Sequence, residues 1–130
     1  MMYSTVVITG ASSGFGMAFA ERLATQCEHM ILIARREDTL NALAQQLTSK
    51  SPTLKTEVIS CDLADCNARK KLVLRLSEIE SESILLINNA WPVTWLVSVL
   101  QVPSYSPPSA CGLWRAVRLK THHNHLSRHC

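Results

Sequence analysis

At 130 residues, 47% of them hydrophobic, the chain is long enough to bury one core and too short for two ordinary domains. No run approaches the roughly 18–20 apolar residues of a membrane span, and the N-terminus lacks a basic head followed by an apolar signal core, so a cytoplasmic protein without a membrane partner is expected. The net charge of +3 divides unevenly at Ala90: residues 1–90 hold nine of the thirteen Lys and Arg and all ten acids, whereas residues 91–130 hold four basic residues, no acid, all three tryptophans and four of the five prolines.

The first predicted element is Thr5 to Thr9 (TVVIT), β-branched and apolar, as in a strand buried on both faces of a parallel sheet. A glycine-rich turn follows, after which Phe15, Phe19 and Leu23, with Ala20 and Ala24, repeat at helical spacing. Met30 to Ala34 (MILIA) is the second strand. Leu40, Leu43, Ala44 and Leu47 then mark one face of a helix that begins near Asp38 or Thr39 as N-cap and ends at Ser51-Pro52. Thr56 to Ser60 (TEVIS) is the third strand, Asp65 caps a helix carrying Leu72, Val73, Leu76 and Ile79, and Ile84 to Ile87 (ILLI) is the fourth strand. This alternation predicts an α/β fold, a doubly wound parallel Rossmann-like sheet with right-handed crossovers, that stops after the fourth strand. From Trp91 onward the periodicity fails, Pro103 to Pro108 breaks any regular element, and little order is expected beyond about residue 100.

The turn reads Thr9-Gly10-Ala11-Ser12-Ser13-Gly14-Phe15-Gly16. Glycines between a strand and a helix let the backbone bend sharply and approach a pyrophosphate, whose charge meets the free N–H groups and positive end of the helix dipole. Ser12 and Ser13 add hydroxyl donors. A glycine cluster alone is equally a tight turn without a ligand, but the strand before it and the helix after it favour phosphate binding. At the end of the second strand an acid would bond a free ribose 2′-OH, and an arginine would neutralise a 2′-phosphate. Ala34-Arg35-Arg36 stands there, which favours NADP over NAD, the alternative being loop charges paired with Glu37 and Asp38.

The TGxxxGxG spelling of this turn resembles the glycine motif of the short-chain dehydrogenase/reductase family. Cys61-Asp62-Leu63, after the third strand, is similar to the family's acidic position, and Asn88-Asn89-Ala90, after the fourth, resembles the start of its NNAG motif. The resemblance implies a cofactor site made of Gly10, Ser12, Ser13, Gly14, Phe15, Gly16, Arg35, Arg36, Asp62, Leu63, Asn89 and Ala90, with Asp62 against the adenine ring. Asp62 also reads as a helix N-cap and Asn89 as a turn residue. Hydride transfer between alcohols and carbonyls is the implied chemistry. It requires a tyrosine whose phenol is acidified by a lysine four residues later, together with a serine. Tyr3 is followed at that distance by Val7, and Tyr105 by Ser109, so no catalytic residue is assigned.

Two segments are therefore expected: a nucleotide-binding unit over 1–90, and an unrelated tail over 91–130. Trp91 stands where NNAG has glycine. Tryptophan has the single codon TGG; read one nucleotide later, TGG before a proline codon becomes GGC, glycine, and Trp95 before Leu96 also becomes glycine. A reading frame lost at about residue 90 would explain the tail. His122, His123, His125, His129 and Cys130 lack zinc-like spacing, so no metal is expected. Arg115, Arg118, Lys120 and Arg128 are too few to imply nucleic acid. The five cysteines form no Cys-x-x-Cys pair and read as free thiols. The fourth strand would be left as an apolar edge, and the family's dimer helices are not found, so an oligomer is not expected. The chain is thus expected to be an NADP-dependent oxidoreductase reduced to nucleotide binding, the alternatives being a non-catalytic nucleotide-binding module and a frameshift product without function.

Overall fold

A computed structural model describes residues 2–90 and the strand at 116–120. Strand β1 (Tyr3–Thr9) leads through the glycine turn into helix α1 (Gly14–Leu23), followed by β2 (Cys27–Ala34), α2 (Glu37–Lys50), β3 (Lys55–Ser60), α3 (Cys66–Ser77), β4 (Ser83–Asn88) and β5 (Ala116–Lys120). The sheet order is β3-β2-β1-β4-β5. The first four strands are parallel, and the order reverses beside β1, the switch point at which open α/β sheets bind ligands beyond the carboxyl ends of their strands.

The central strands are apolar in unbroken runs because helices cover both faces. Val6 and Ile8 of β1, with Met30 and Leu32 of β2, pack against Ala20 of α1 and Leu40, Leu43 and Leu47 of α2. The alternate residues Val7, Ile31 and Ile33, with Ile84 and Leu86 of β4, pack on the other face against Leu72 and Leu76 of α3. The period of two within the strands thus feeds two cores from one sequence run. On the α3 side Arg75 makes a bidentate pair with Glu57 of β3, at 2.8 and 2.7 Å. His29 lies 3.7 Å from the same carboxylate. Its imidazole is nonetheless held below the ordinary 6.5, because burial, aided by Arg75 and Lys55, outweighs Glu57.

Four expectations change. Strand β2 starts at Cys27 rather than Met30, because Tyr3 of β1 pairs with Cys27 and draws the polar Glu28 and His29 into the ladder. Helix α2 starts at Glu37 with Arg36 as its N-cap, so Asp38 lies inside the first turn, where its charge and that of Glu37 suit the helix dipole. Asp65 caps α3 as expected, and this excludes Asp62 from that role. The parallel run does stop at the fourth strand, but β4 is not an open edge. β5 pairs antiparallel to it from Ser83↔Lys120 to Ile87↔Ala116. An antiparallel strand bordering a parallel sheet is a common arrangement, and it satisfies backbone groups that would otherwise face solvent. The expectation of little order in the tail is thereby corrected for these five residues. The other tail features, Trp91, Trp95, Tyr105, the five-residue His/Cys group and Cys111, lie outside the described residues.

Candidate nucleotide site

The carboxyl ends of β1 to β4 open onto a cleft of about 570 Å³. Nine of the twelve residues named from sequence line it: Gly10, Ser12 and Ser13 from the first turn, Arg35 and Arg36 from the second, Asp62 and Leu63 from the third, and Asn89 and Ala90 from the fourth. Gly14, Phe15 and Gly16, the first residues of α1, are not part of its lining; Gly14 and Phe15 are exposed and Gly16 is buried. Ala34, Cys61 and Ala64 also line the cleft; the first two stand in motifs read from the sequence without being named as site residues, and Ala64 adjoins one that was.

The first turn is built by one side chain reaching from the fourth. Asn89 Nδ2 donates to Gly10 O at 2.9 Å and to Ser13 Oγ at 3.0 Å. Ser13 Oγ donates its proton to Gly10 O at 2.8 Å and accepts from Gly16 N, capping α1. A hydroxyl has one proton and two lone pairs, so Ser13 is fully engaged within the turn. Ser12 is left as the hydroxyl that can donate outward. Asn89 Oδ1 is buried without a partner among the described residues. A residue that sequence reasoning overlooked is Thr9, whose hydroxyl donates to Asn88 Oδ1 at 2.9 Å and accepts from Asn89 N and Ala90 N at 3.1 Å each. A fully buried threonine at a strand end was the available signal.

On the other wall, Arg36 Nη2 donates to Ser12 O at 3.3 Å, and Arg35 and Arg36 form no ion pair with Glu37 or Asp38 among the described residues. Asp62 Oδ1 accepts from Ala64 N at 3.0 Å, an Asx turn. Beside it, burial first and then Asp62 and Asp65 push the Cys61 thiol above its usual range, against the opposing effect of Arg69. The thiol is therefore protonated and inert at neutral pH.

Residues 4–100 match the family model described as short chain dehydrogenase, three quarters of the chain. The chain belongs to the short-chain dehydrogenase family. Among family relatives, a very-long-chain 3-oxoacyl-CoA reductase of Pyricularia oryzae is 39% identical over 88 residues, covering 66% of this chain and 26% of the relative. A fatty acyl-CoA reductase of Acinetobacter baylyi is 34% identical over 84 residues, covering 65% of this chain and 28% of the relative. A solved short-chain dehydrogenase from Sphingobium yanoikuyae in complex with NADPH is 40% identical with a TM-score of 0.62, over 67% of this chain and 34% of that one. L-Sorbose reductase from Gluconobacter frateurii, complexed with NADPH and L-sorbose, is 34% identical with a TM-score of 0.58, over 69% of this chain and 34% of that one. The chain thus spans about a quarter to a third of the length of these family members.

Proposed function

We propose that this chain is the cofactor-binding part of an NADP-dependent oxidoreductase of alcohols and carbonyls, competent for nucleotide binding and not by itself for hydride transfer. The observation that carries the reading is the pair Arg35 and Arg36 on the cleft wall at the end of β2, uncommitted to the neighbouring acids, opposite a glycine turn at a helix N-terminus. The residues fit the cofactor at a further point. A Cβ on Gly14 would meet nothing within 4 Å beyond its chain neighbours and its own helix backbone, so no packing partner requires the absence of a side chain there, and the space leaves room for a phosphate to approach. The relatives bound to NADPH support the same cofactor.

When bound, the nicotinamide supplies or accepts the hydride. The N–H groups of the first turn of α1 and the Ser12 hydroxyl would hold the pyrophosphate, Arg35 and Arg36 the 2′-phosphate, and Asp62 the adenine amino group. Free thiols at Cys27, Cys61 and Cys66 suit a reducing compartment such as the cytoplasm.

Thermal melting of the purified chain with each nucleotide tests this reading. At a hundredfold excess over Kd, NADPH should raise Tm by on the order of 10 °C, and NADH by much less. Arg35→Ala should weaken NADPH at least about tenfold, the scale of a lost charge-assisted hydrogen bond, and leave NADH nearly unchanged. Equal loss for both nucleotides would sink the 2′-phosphate role.

Trp91 stands where the NNAG motif that the chain resembles has glycine, and the one-nucleotide shift turns both Trp91 and Trp95 into glycine. We infer a reading frame lost near residue 90, so that the catalytic part is encoded in the shifted frame. Sequencing the gene through codon 90 decides it, and a shifted frame without a Tyr-x-x-x-Lys continuation would refute it.

A further inference from the structure

Helix α3 opens with Asp65 as N-cap and Cys66, Asn67 and Ala68 as its first three residues, and has no acid in the first turn. Arg69 follows at once, a cation placed where the helix dipole is least hospitable to it. Its guanidinium turns back past the helix end, and Nη1 donates to Leu63 O at 3.0 Å and Ala64 O at 3.1 Å. These carbonyls belong to the two central residues of the turn Asp62 to Asp65. The turn's ends are closed by Asp65 N donating to Asp62 O at 3.0 Å, and its first side chain is tied by Ala64 N donating to Asp62 Oδ1 at 3.0 Å. Leu63, only 8% exposed, anchors the turn in the core beneath the cleft. The carbonyls of Leu63 and Ala64 are therefore both held by one guanidinium nitrogen, and the Asp62 carboxylate, with Oδ2 still available, is held at the cleft wall.

We propose that Arg69 is a positioning residue for the adenine end of the cofactor: by clamping the carbonyls of Leu63 and Ala64 it fixes the turn that presents Asp62, and so sets selectivity for an amino-bearing purine. The proposal rests on the reading of Asp62 as the adenine contact. A carboxylate oxygen accepts from an amino group and repels a carbonyl oxygen in its place, so misplacing it should blur that distinction more than it lowers overall affinity.

The test compares binding of NADPH and of its hypoxanthine analogue, in which the purine amino group is replaced by a carbonyl, to the full chain and to Arg69→Met and Arg69→Lys. The full chain should prefer NADPH by about tenfold or more, the scale of one hydrogen bond to a charged group. Arg69→Met should reduce that preference to less than about threefold while leaving affinity for the analogue nearly unchanged. Arg69→Lys, which keeps the charge on a more flexible stem and a less pre-organised donor, should fall between. An Arg69→Met variant that keeps the full preference would overturn the positioning role. Equal weakening of both nucleotides with a lowered Tm would reduce Arg69 to a structural cap and also overturn it. Should Arg69→Met lose its cooperative melt, Arg69→Lys decides on the same preference ratio. A full chain that binds NADPH with no preference would instead remove the adenine role of Asp62, and with it the basis of the proposal.

Discussion

At Gly10 the backbone sits at φ +65°, the left-handed region that a side chain resists, and an added Cβ would lie 3.0 Å from Ala90 N. Gly16 has another reason to lack a side chain, since a Cβ there would fall 2.3 Å from Gly10 O and 2.8 Å from Asn89 Nδ2. Those two glycines are demanded by the protein's own packing, and Gly14 is not. The distinction gives a paired prediction. Gly16→Ala should lower Tm by several degrees, because the clash is with backbone and with the amide that ties the turn together. Gly14→Ala should keep Tm or raise it slightly, alanine being the better helix former, yet weaken NADPH by at least about tenfold. Melting with and without NADPH measures both, and a Gly14→Ala variant that binds normally would remove the phosphate from that position. The glycine spelling made the turn legible in the sequence. The saturation of Ser13 was not legible, because two of its three partners share its own turn while the third, Asn89, arrives from 76 residues away.

The start of helix α2 sets cofactor choice against local stability. Its N-cap position, with extended dihedrals at φ −91° and ψ 99°, is held by Arg36, which makes no side-chain cap, whereas Asp65 caps α3 by accepting from Asn67 N at 2.8 Å. Arginine is a poor choice for a cap, and its side chain is instead spent across the cleft on Ser12 O. Arg36→Asp should therefore stabilise the protein by about 1 kcal/mol, a rise of roughly 5 °C in Tm for a domain of this size. The same change should lower NADPH affinity and narrow its margin over NADH, since an acid at this turn suits a free 2′-OH. A variant that gains neither stability nor NADH tolerance would show that Arg36 serves neither as misfit cap nor as phosphate ligand. The sequence placed the helix but not its first residue. Asp38 and Thr39 are better caps by residue type, yet the chain enters α2 directly from β2, and Glu37 and Asp38 are already helical when they meet the dipole.

The sheet as a whole is asymmetric in how its edges are protected. β3 borders one side and is partly exposed along its length, with Lys55 and Glu57 on it, charges of the kind that discourage further pairing. β4 has no such charges between Ser83 and Asn88, and Ile84 to Ile87 are all at most 9% exposed. Four parallel strands were readable from unbroken apolar runs, because a strand covered on both faces leaves that signature. β5 was missed although Ala116-Val-Arg-Leu-Lys120 alternates apolar and charged residues, since the prolines and tryptophans before it mask any pattern that continues from the core. Pairing with β5 satisfies the outer backbone groups of β4, so removing it should expose an apolar edge that accepts a strand from another molecule. A chain ended after residue 115, and the full-length variant Val117→Pro, which puts a proline into the paired stretch of β5, should both self-associate at roughly tens of micromolar while the full chain does so far less. Sedimentation or light scattering across a concentration series reads the difference. Using two variants separates loss of the strand from loss of the terminal residues, because Val117→Pro keeps every other residue of the tail. If both variants stay as dispersed as the full chain, the β4 edge is protected by something other than β5, and the antiparallel pairing contributes little to the integrity of the sheet.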